Sequence, residues 1–367
     1  MKLEKLFLAK KAIITSRKYL SSSSGIPCIH YGDIYKYYSY KAILSSEIIN
    51  GFMLNVSSDK YISQDSIVIP DVTETINDFG NSVYIKYNGT RYINGTHTIA
   101  ITSQNSTFLK YLFYYLQNNK NKKKLQSLLL GSTVFQLSLK DILKFELVDY
   151  DINVNHQQHI IDIIGSIDDK IENNNKIIKK LEEFGIKNYF KLSNKLEDIL
   201  LYSKFERGKE ASSKNYSEIK QKNFINFIRV KDLNVLTNTY ISNLLKLPLV
   251  EKKDTIIALD GTVGRINFGL SGAYSSGLYK VVPVNEKYRG IIYFSLKDNF
   301  NQNIIQYYAT GTTILHAGKS INHLKIKKHK ENDLILFNKL YEFMLLLKQE
   351  NIKLNNLKQL YLKKFFG

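Results

Sequence analysis

The stretch QQHIIDIIGSIDDKIENNNKIIKKLEEF, Gln157 to Phe184, decides the architecture. Apolar side chains fall at Ile160, Ile164, Ile167 and Ile171 and then, after a polar Asn174, at Ile178 and Leu181. This alternation of four and three keeps one narrow seam turned toward a partner helix. The spacing returns near the C-terminus, where Leu336, Leu340, Phe343 and Leu347 are followed by Glu350, Leu354 and Leu357. A polar residue interrupts both seams at the same step, and a polar core position can fix the register of a helix pair at some cost in stability. An amphipathic helix lying on a globular core would give a related pattern. Duplication of the whole pattern, polar break included, argues instead for two helices that pair within one chain. At about 1.5 Å per residue, helices of roughly 35 residues span about 50 Å, long enough to serve as a ruler.

Self-comparison extends the repeat beyond the helices. KLEKLFL at Lys2 to Leu8 matches KLEDILL at Lys195 to Leu201, and CIHYGDI at Cys28 to Ile34 matches IRVKDL at Ile228 to Leu233. Tyr111 to Thr133 runs without gaps against Ile291 to Thr313, pairing Leu112 with Ile292, Leu116 with Leu296 and Gly131 with Gly311 at helical spacing. Short β-branched runs precede these segments: Ile67 to Ile69 and Val83 to Ile85 in one half, Thr255 to Ile257 and Tyr279 to Val282 in the other. Turn pairs punctuate them at Asn88-Gly89, Asn94-Gly95, Asp260-Gly261, Val263-Gly264 and Ser271-Gly272. The expected fold is α+β: two mixed α/β domains in pseudo-twofold repeat, separated by two long helices forming an antiparallel coiled coil. The expected boundaries are 1–152 and 194–329 for the domains, 153–193 and 330–367 for the helical regions.

Composition narrows the function. The chain has 367 residues, and 52 Lys+Arg against 33 Asp+Glu leave a net charge of +19, which makes a polyanion the first partner to test. Heavy use of Lys, Asn, Ile and Tyr is also what an AT-rich genome produces, so codon bias accounts for part of the charge. Apolar content of 44% excludes global disorder, and the length suits about two domains. No run reaches the roughly 18 apolar residues that a membrane-spanning helix needs, and lysines break the N-terminal MKLEKLFLAKK before a signal-peptide core could form. Cys28 is the only cysteine, so no internal disulfide forms and the cytoplasm is the expected compartment.

The search for catalytic chemistry returns little. The only prolines are Pro27, Pro70, Pro248 and Pro283, none adjacent, which excludes the Asn/Asp-Pro-Pro-aromatic motif of an adenine methyltransferase. TILHAGKS, Thr313 to Ser320, approaches a phosphate-binding loop but has Thr313 in place of the first glycine, and it reads better as a connection between helix and strand. His156 and His159 lack further ligands to complete a metal site. Glu218-x-Lys220 lacks the Pro-Asp element of a nuclease core. A duplicated, basic, coiled-coil chain of this kind reads as a recognition component.

These elements resemble the specificity subunit of type I restriction-modification enzymes over nearly the whole chain. The residues that carry the likeness are the paired openings KLEKLF and KLEDIL, the strands IPCIHYGDI and FIRVKDL, the turn Gly261-Thr262-Val263-Gly264-Arg265, the GST and GTT elements at 131–133 and 311–313, and the helix quoted at the outset. The prolines expected before the first helix are missing, and Asp333 stands opposite Gln157 in the second. The resemblance implies a non-catalytic reader of a split duplex DNA target. It implies docking of two methyltransferase subunits and of restriction subunits, with S-adenosylmethionine on the former and ATP and Mg on the latter. The chain itself would need no cofactor and no metal.

Candidate DNA contacts follow from residue chemistry on the turns. In the first domain these are Lys86, Tyr87, Arg91, Asn94, Thr96 and His97; in the second, Arg229, Lys231, Arg265, Asn267, Tyr274 and Ser275. Arginine suits guanine and asparagine suits adenine, while lysine neutralises phosphates without reading sequence. Two other readings stay open at this point: a stand-alone duplicated DNA-binding protein, and a coiled-coil scaffold whose charge is merely compositional.

Overall fold

The computed structural model describes residues 1–76, 79–233 and 239–367. The chain divides into two compact units, Met1–Lys170 with Leu354–Gly367, and Ile171–Lys353. Helices of eight residues or more are numbered below.

In the first unit a five-stranded sheet runs in the order Leu8–Lys11, Thr98–Thr102, Ser66–Pro70, Val83–Lys86, Lys41–Leu44. Its central strand is a continuous apolar run because both faces are covered. Ile67 and Ile69 point to helices α1 (Ser106–Gln117) and α2 (Asn119–Gln126), meeting Leu109, Leu112 and Phe113. Val68, on the opposite face, packs with Ile29, Ile34 and Tyr92. Asn118 closes the joint between the two helices: its side chain accepts from the Lys120 amide at 2.9 Å, and Asn121 donates back to the Tyr115 carbonyl at 3.1 Å. The long helix α3, Val154–Phe190, follows.

The second unit repeats the plan. Its sheet runs Ser203–Arg207, Leu278–Pro283, Thr255–Ala258, Ile266–Asn267. Helices α4 (Arg289–Lys297) and α5 (Asn299–Tyr307) cover Ile257 on one face, with Asp298 and Asn301 at the joint where the first unit has Asn118 and Asn121. Ile256 and Ala258 face Ile228 on the other side. Helix α6 spans Glu331–Phe366. All four strands expected from β-branched runs are present, as are the paired helices of the gapless match.

Within each unit α3 and α6 run antiparallel. In the second unit Asn174 meets Asn351 at 2.9 Å, and further along α3 Tyr189 meets the earlier Phe337 of α6 edge-on, ring centroids 6.0 Å apart. In the first, Lys358 of α6 donates to both oxygens of Asp168 of α3, at 2.7 and 3.0 Å.

The α3 seam holds as read: Ile164, Ile167 and Asn174 are buried, and Ile171, Ile178 and Leu181 are half-buried. On α6 the inward face is wider than the seam as read, and Glu350 of that seam accepts from Asn174 at 2.8 Å. Leu340 and Leu347 are buried and Glu350 and Leu354 half-buried, but Phe343 and Leu357 are 48% and 41% exposed. The residues that pack as Gln157, Ile160, Ile164, Ile167 and Asn174 do are Leu334, Phe337, Tyr341, Met344 and Asn351. Helix α6 carries two apolar stripes one residue apart, about 100° from each other around the helix, and residues of both are buried. The aromatic stripe fills the interior. The opening match also slides. Leu3 and Ile199, not Leu3 and Leu196, are the fully buried anchors, each donating its amide across the unit, to Phe145 at 2.9 Å and to Leu324 at 3.1 Å.

Candidate nucleic-acid interface

One structural corner is built twice. Strand Ile26–Ile29 pairs in parallel with Ile93–Asn94, and Phe224–Ile228 pairs in parallel with Gly272–Tyr274. The chain then turns sharply, held in each case by an aspartate three residues on. His30 N–H donates to Asp33 Oδ2, and Arg229 N–H donates to Asp232 Oδ2, both at 3.1 Å. The Gly95 amide bonds the Ile29 carbonyl as the Ser275 amide bonds that of Ile228, both at 2.9 Å. The sequence match between CIHYGDI and IRVKDL is therefore a true structural equivalence.

Of the candidates in the first unit, Arg91 is exposed and has no hydrogen bond or ion pair among the described residues. Lys86 is exposed at the rim of a groove whose lining mixes Lys110 with Asp65, Asp162 and Asp169. Tyr87 is anchored through its amide to Asp65 at 2.9 Å, and its hydroxyl donates to the Gly89 carbonyl at 3.2 Å. Asn94 is 2% exposed with its amide given to the Lys10 carbonyl, which removes it as a reader of bases. Thr96 is engaged with Thr15 through backbone and hydroxyl alike. His97 projects from a left-handed backbone at φ 62°, with Nδ1 3.4 Å from Asp71 and its ring edge-on to Tyr31.

In the second unit Lys231 is exposed and without a partner among the described residues. Arg265 is half-buried and among the described residues its side chain bonds only the Thr262 hydroxyl, at 3.1 Å, so most of its donors stay available. The rest are internal. Arg229 lies against Asp232 at 2.9 Å, Thr239 at 2.6 Å and the face of Tyr216. Asn267 donates to the Leu233 carbonyl and accepts from Lys348. Tyr274 and Ser275 are buried, the former with its hydroxyl on the Glu206 carbonyl. Turn residues mislead here because the turns themselves need hydrogen bonds, and asparagine, threonine and serine supply them.

Two charged clusters escaped the sequence reading. Arg17 donates to the Tyr31 hydroxyl at 3.1 Å, and Tyr31 packs on both His30 and His97. Burial, which outweighs the nearby Asp33 carboxylate, holds the His30 imidazole below its ordinary pKa, so it sits there neutral. In the second unit Asp260 receives Arg207 at 2.8 Å and His316 at 2.9 Å. His97 lies far in sequence from Arg17 and Tyr31, as Asp260 does from Arg207 and His316, and only the fold of each unit joins them. His156 pairs with Asp151 at the start of α3, and no group of three metal-ligating side chains occurs among the described residues. Residues Thr310 to His316 form an exposed hairpin, so TILHAGKS is a connection and not a phosphate loop. No described helix is long and apolar enough to cross a membrane.

Each compact unit thus carries one copy of this corner within a mixed sheet-and-helix body that includes part of α3 and part of α6. Residues 5–183 match the family model of the type I restriction modification DNA specificity domain. The matched segment, just under half of the chain, is thus similar to a type I DNA specificity domain. A type I S subunit from M. genitalium has the same fold over all of this chain and 95% of its own, at 16% identity and a TM-score of 0.52. An HsdS subunit from Thermoanaerobacter tengcongensis aligns over 100% of this chain and 95% of its own, at 14% identity and a TM-score of 0.34. No curated protein matches the sequence.

Proposed function

We propose that residues 1–152 and 194–329 are target-recognition domains that each read one half of a split duplex DNA sequence, and that α3 and α6 set the spacer and dock two methyltransferase subunits. The observation that carries this is the corner built twice, with the same aspartate closing the same turn after the same parallel strand. Duplicated geometry with divergent side chains, Arg91 and His97 against Lys231 and Arg265, suits two different half-sites read in one way. Methylation of adenine would be performed by the docked subunits, which carry S-adenosylmethionine and take the base out of the stack. Restriction subunits would join the same complex. The apolar stripe that α6 leaves exposed in the second unit, Phe343 and Leu346, supports a further protein contact on this helix.

Co-expression with the neighbouring methyltransferase gene and genome-wide mapping of N6-methyladenine tests the reading. A split motif that appears only when this chain is present supports it. Methylation independent of the chain, with both proteins folded, overturns it in favour of a stand-alone DNA-binding protein.

A further inference from the structure

The second unit contains a half-buried lysine that none of the recognition chemistry above uses. Lys348 lies on α6, yet its ammonium reaches into the recognition domain, donating to Asn267 Oδ1 and, at 3.3 Å, to the Phe268 carbonyl. It sits 4.1 Å from the centre of the Phe268 ring. That ring is clamped in turn, stacked on Tyr341 at 4.3 Å and edge-on to Tyr293 at 4.9 Å. Asn267 is the last residue of the strand that follows the Gly261–Arg265 turn, and its own amide donates to the Leu233 carbonyl, at the end of the corner that holds Lys231. One ammonium thus ties together the two elements that present the free cations of this unit.

We propose that Lys348 is a positioning residue for the second recognition domain, setting the Gly261–Arg265 turn and the Arg229–Leu233 corner against DNA from the helix pair through Asn267. The inference deepens the reading given above and rests on it. It differs from a generic packing role because the contact is an ion meeting two dipoles and a ring face, and each of these attractions weakens when the ammonium loses its proton. Burial brings that loss close to neutrality, to about pH 8, against the opposing pull of the Glu182 carboxylate and with the help of the Lys297 ammonium. The other titratable groups facing this cluster are Tyr293, which donates to Glu182, and Tyr341, and burial raises the pKa of both hydroxyls. Neither changes charge in the window where Lys348 does.

The equivalent place on α3 is Ile171, so the device belongs to one recognition domain only. An asymmetric response follows: affinity for the half-site read by the second unit depends on Lys348, and affinity for the other half-site does not.

The test measures binding of the assembled complex to duplexes carrying the mapped target, with either half-site scrambled, from pH 7 to pH 9. Wild-type complex should lose about tenfold in affinity for the second half-site across this range, and K348M should be weak and flat with pH, both leaving the first half-site unchanged. R265A serves as the reference. If R265A weakens second-half-site binding while the wild-type pH profile is flat or matches that of the first half-site, the inference fails and the recognition reading stands. If R265A and the scrambled second half-site both leave binding unchanged, the recognition reading itself fails. The wild-type profile needs no variant to fold, so the outcome is decided even if K348M is unstable.

Discussion

Two glycines of α3 should respond to the same substitution with opposite sign. A glycine inside a helix costs about 1 kcal/mol relative to alanine, so Gly→Ala in open space is a gain of that order. At Gly165 a new methyl would meet nothing nearer than the Tyr114 hydroxyl at 3.6 Å and the Lys110 ammonium at 3.8 Å, ordinary contact distances. At Gly185 it would fall 2.1 Å from Cε1 and 2.3 Å from Cζ of Phe294. That ring is fully buried and held by Phe337 at 5.3 Å and Tyr293 at 5.2 Å, so it cannot swing away. Overpacking of this kind costs about 1–3 kcal/mol, occasionally more, and the helix gain offsets only part of it. G165A should therefore stabilise its unit by up to about 1 kcal/mol, and G185A should destabilise its own by about 1–2 kcal/mol. For units of this size that corresponds to a rise of roughly 2–4 °C in Tm for the first and a fall of roughly 2–8 °C for the second, read by calorimetry. F294L in the G185A background should recover most of the loss, as a coupling of about 1 kcal/mol or more in the double-mutant cycle. A Tm for G185A as high as that of G165A would show that α3 does not seat on Phe294, and the docking of the second unit on its helix would have to be redrawn.

Further outcomes follow from other parts of the molecule. Replacing Ile171 and Leu347 together with Asp puts carboxylates into the α3–α6 seam at a cost of several kcal/mol and should abolish methylation of the split target, while circular dichroism still reports folded sheet; retained methylation counts against the helices as spacer. Lys348 binds its proton less readily in the folded chain, at about 8, than unfolded, at its ordinary 10.5, so between these values the unfolded state holds more protons and stability should rise with pH. Urea midpoints from pH 8 to pH 10 should show that slope in wild type and lack it in K348M. Lys231→Ala and Arg265→Ala should each reduce the slope of log affinity against log salt by about 0.9 if the side chain meets a phosphate, whereas a base contact lowers affinity with the slope kept. Burial pushes the Cys28 thiol up to about 12, so alkylation at pH 8 should follow unfolding of the first unit; rapid labelling of native protein would contradict its placement.

Periodicity was enough to find both long helices and their pairing, because a narrow apolar seam has few ways to be buried. It could not say how two adjacent stripes on α6 share the inward face. Leu336, Phe343 and Leu357 keep the spacing as well as Phe337 and Met344 do, and how deeply each is buried depends on the volume left by α3 and the sheet of the same unit. The polar break was legible, but not that Asn174 and Asn351 touch each other as equivalent residues. Among the candidate contacts, Arg91, Lys231 and Arg265 keep donors available to a partner. Residue type failed for Asn94, Asn267 and Tyr274, whose polar atoms close turns and strands within their own unit.

The order of residues by itself determined the duplication, the two long helices, the strand and turn types and the excess of positive charge, since each rests on spacing or composition along the chain. Tertiary structure alone decided which polar side chains are spent internally and which are left for a partner. A hydrogen bond such as that from Asn94 to the Lys10 carbonyl, or from Lys348 to Asn267, joins groups some eighty residues apart, and no local signal distinguishes a side chain that has found such a partner from one that has not.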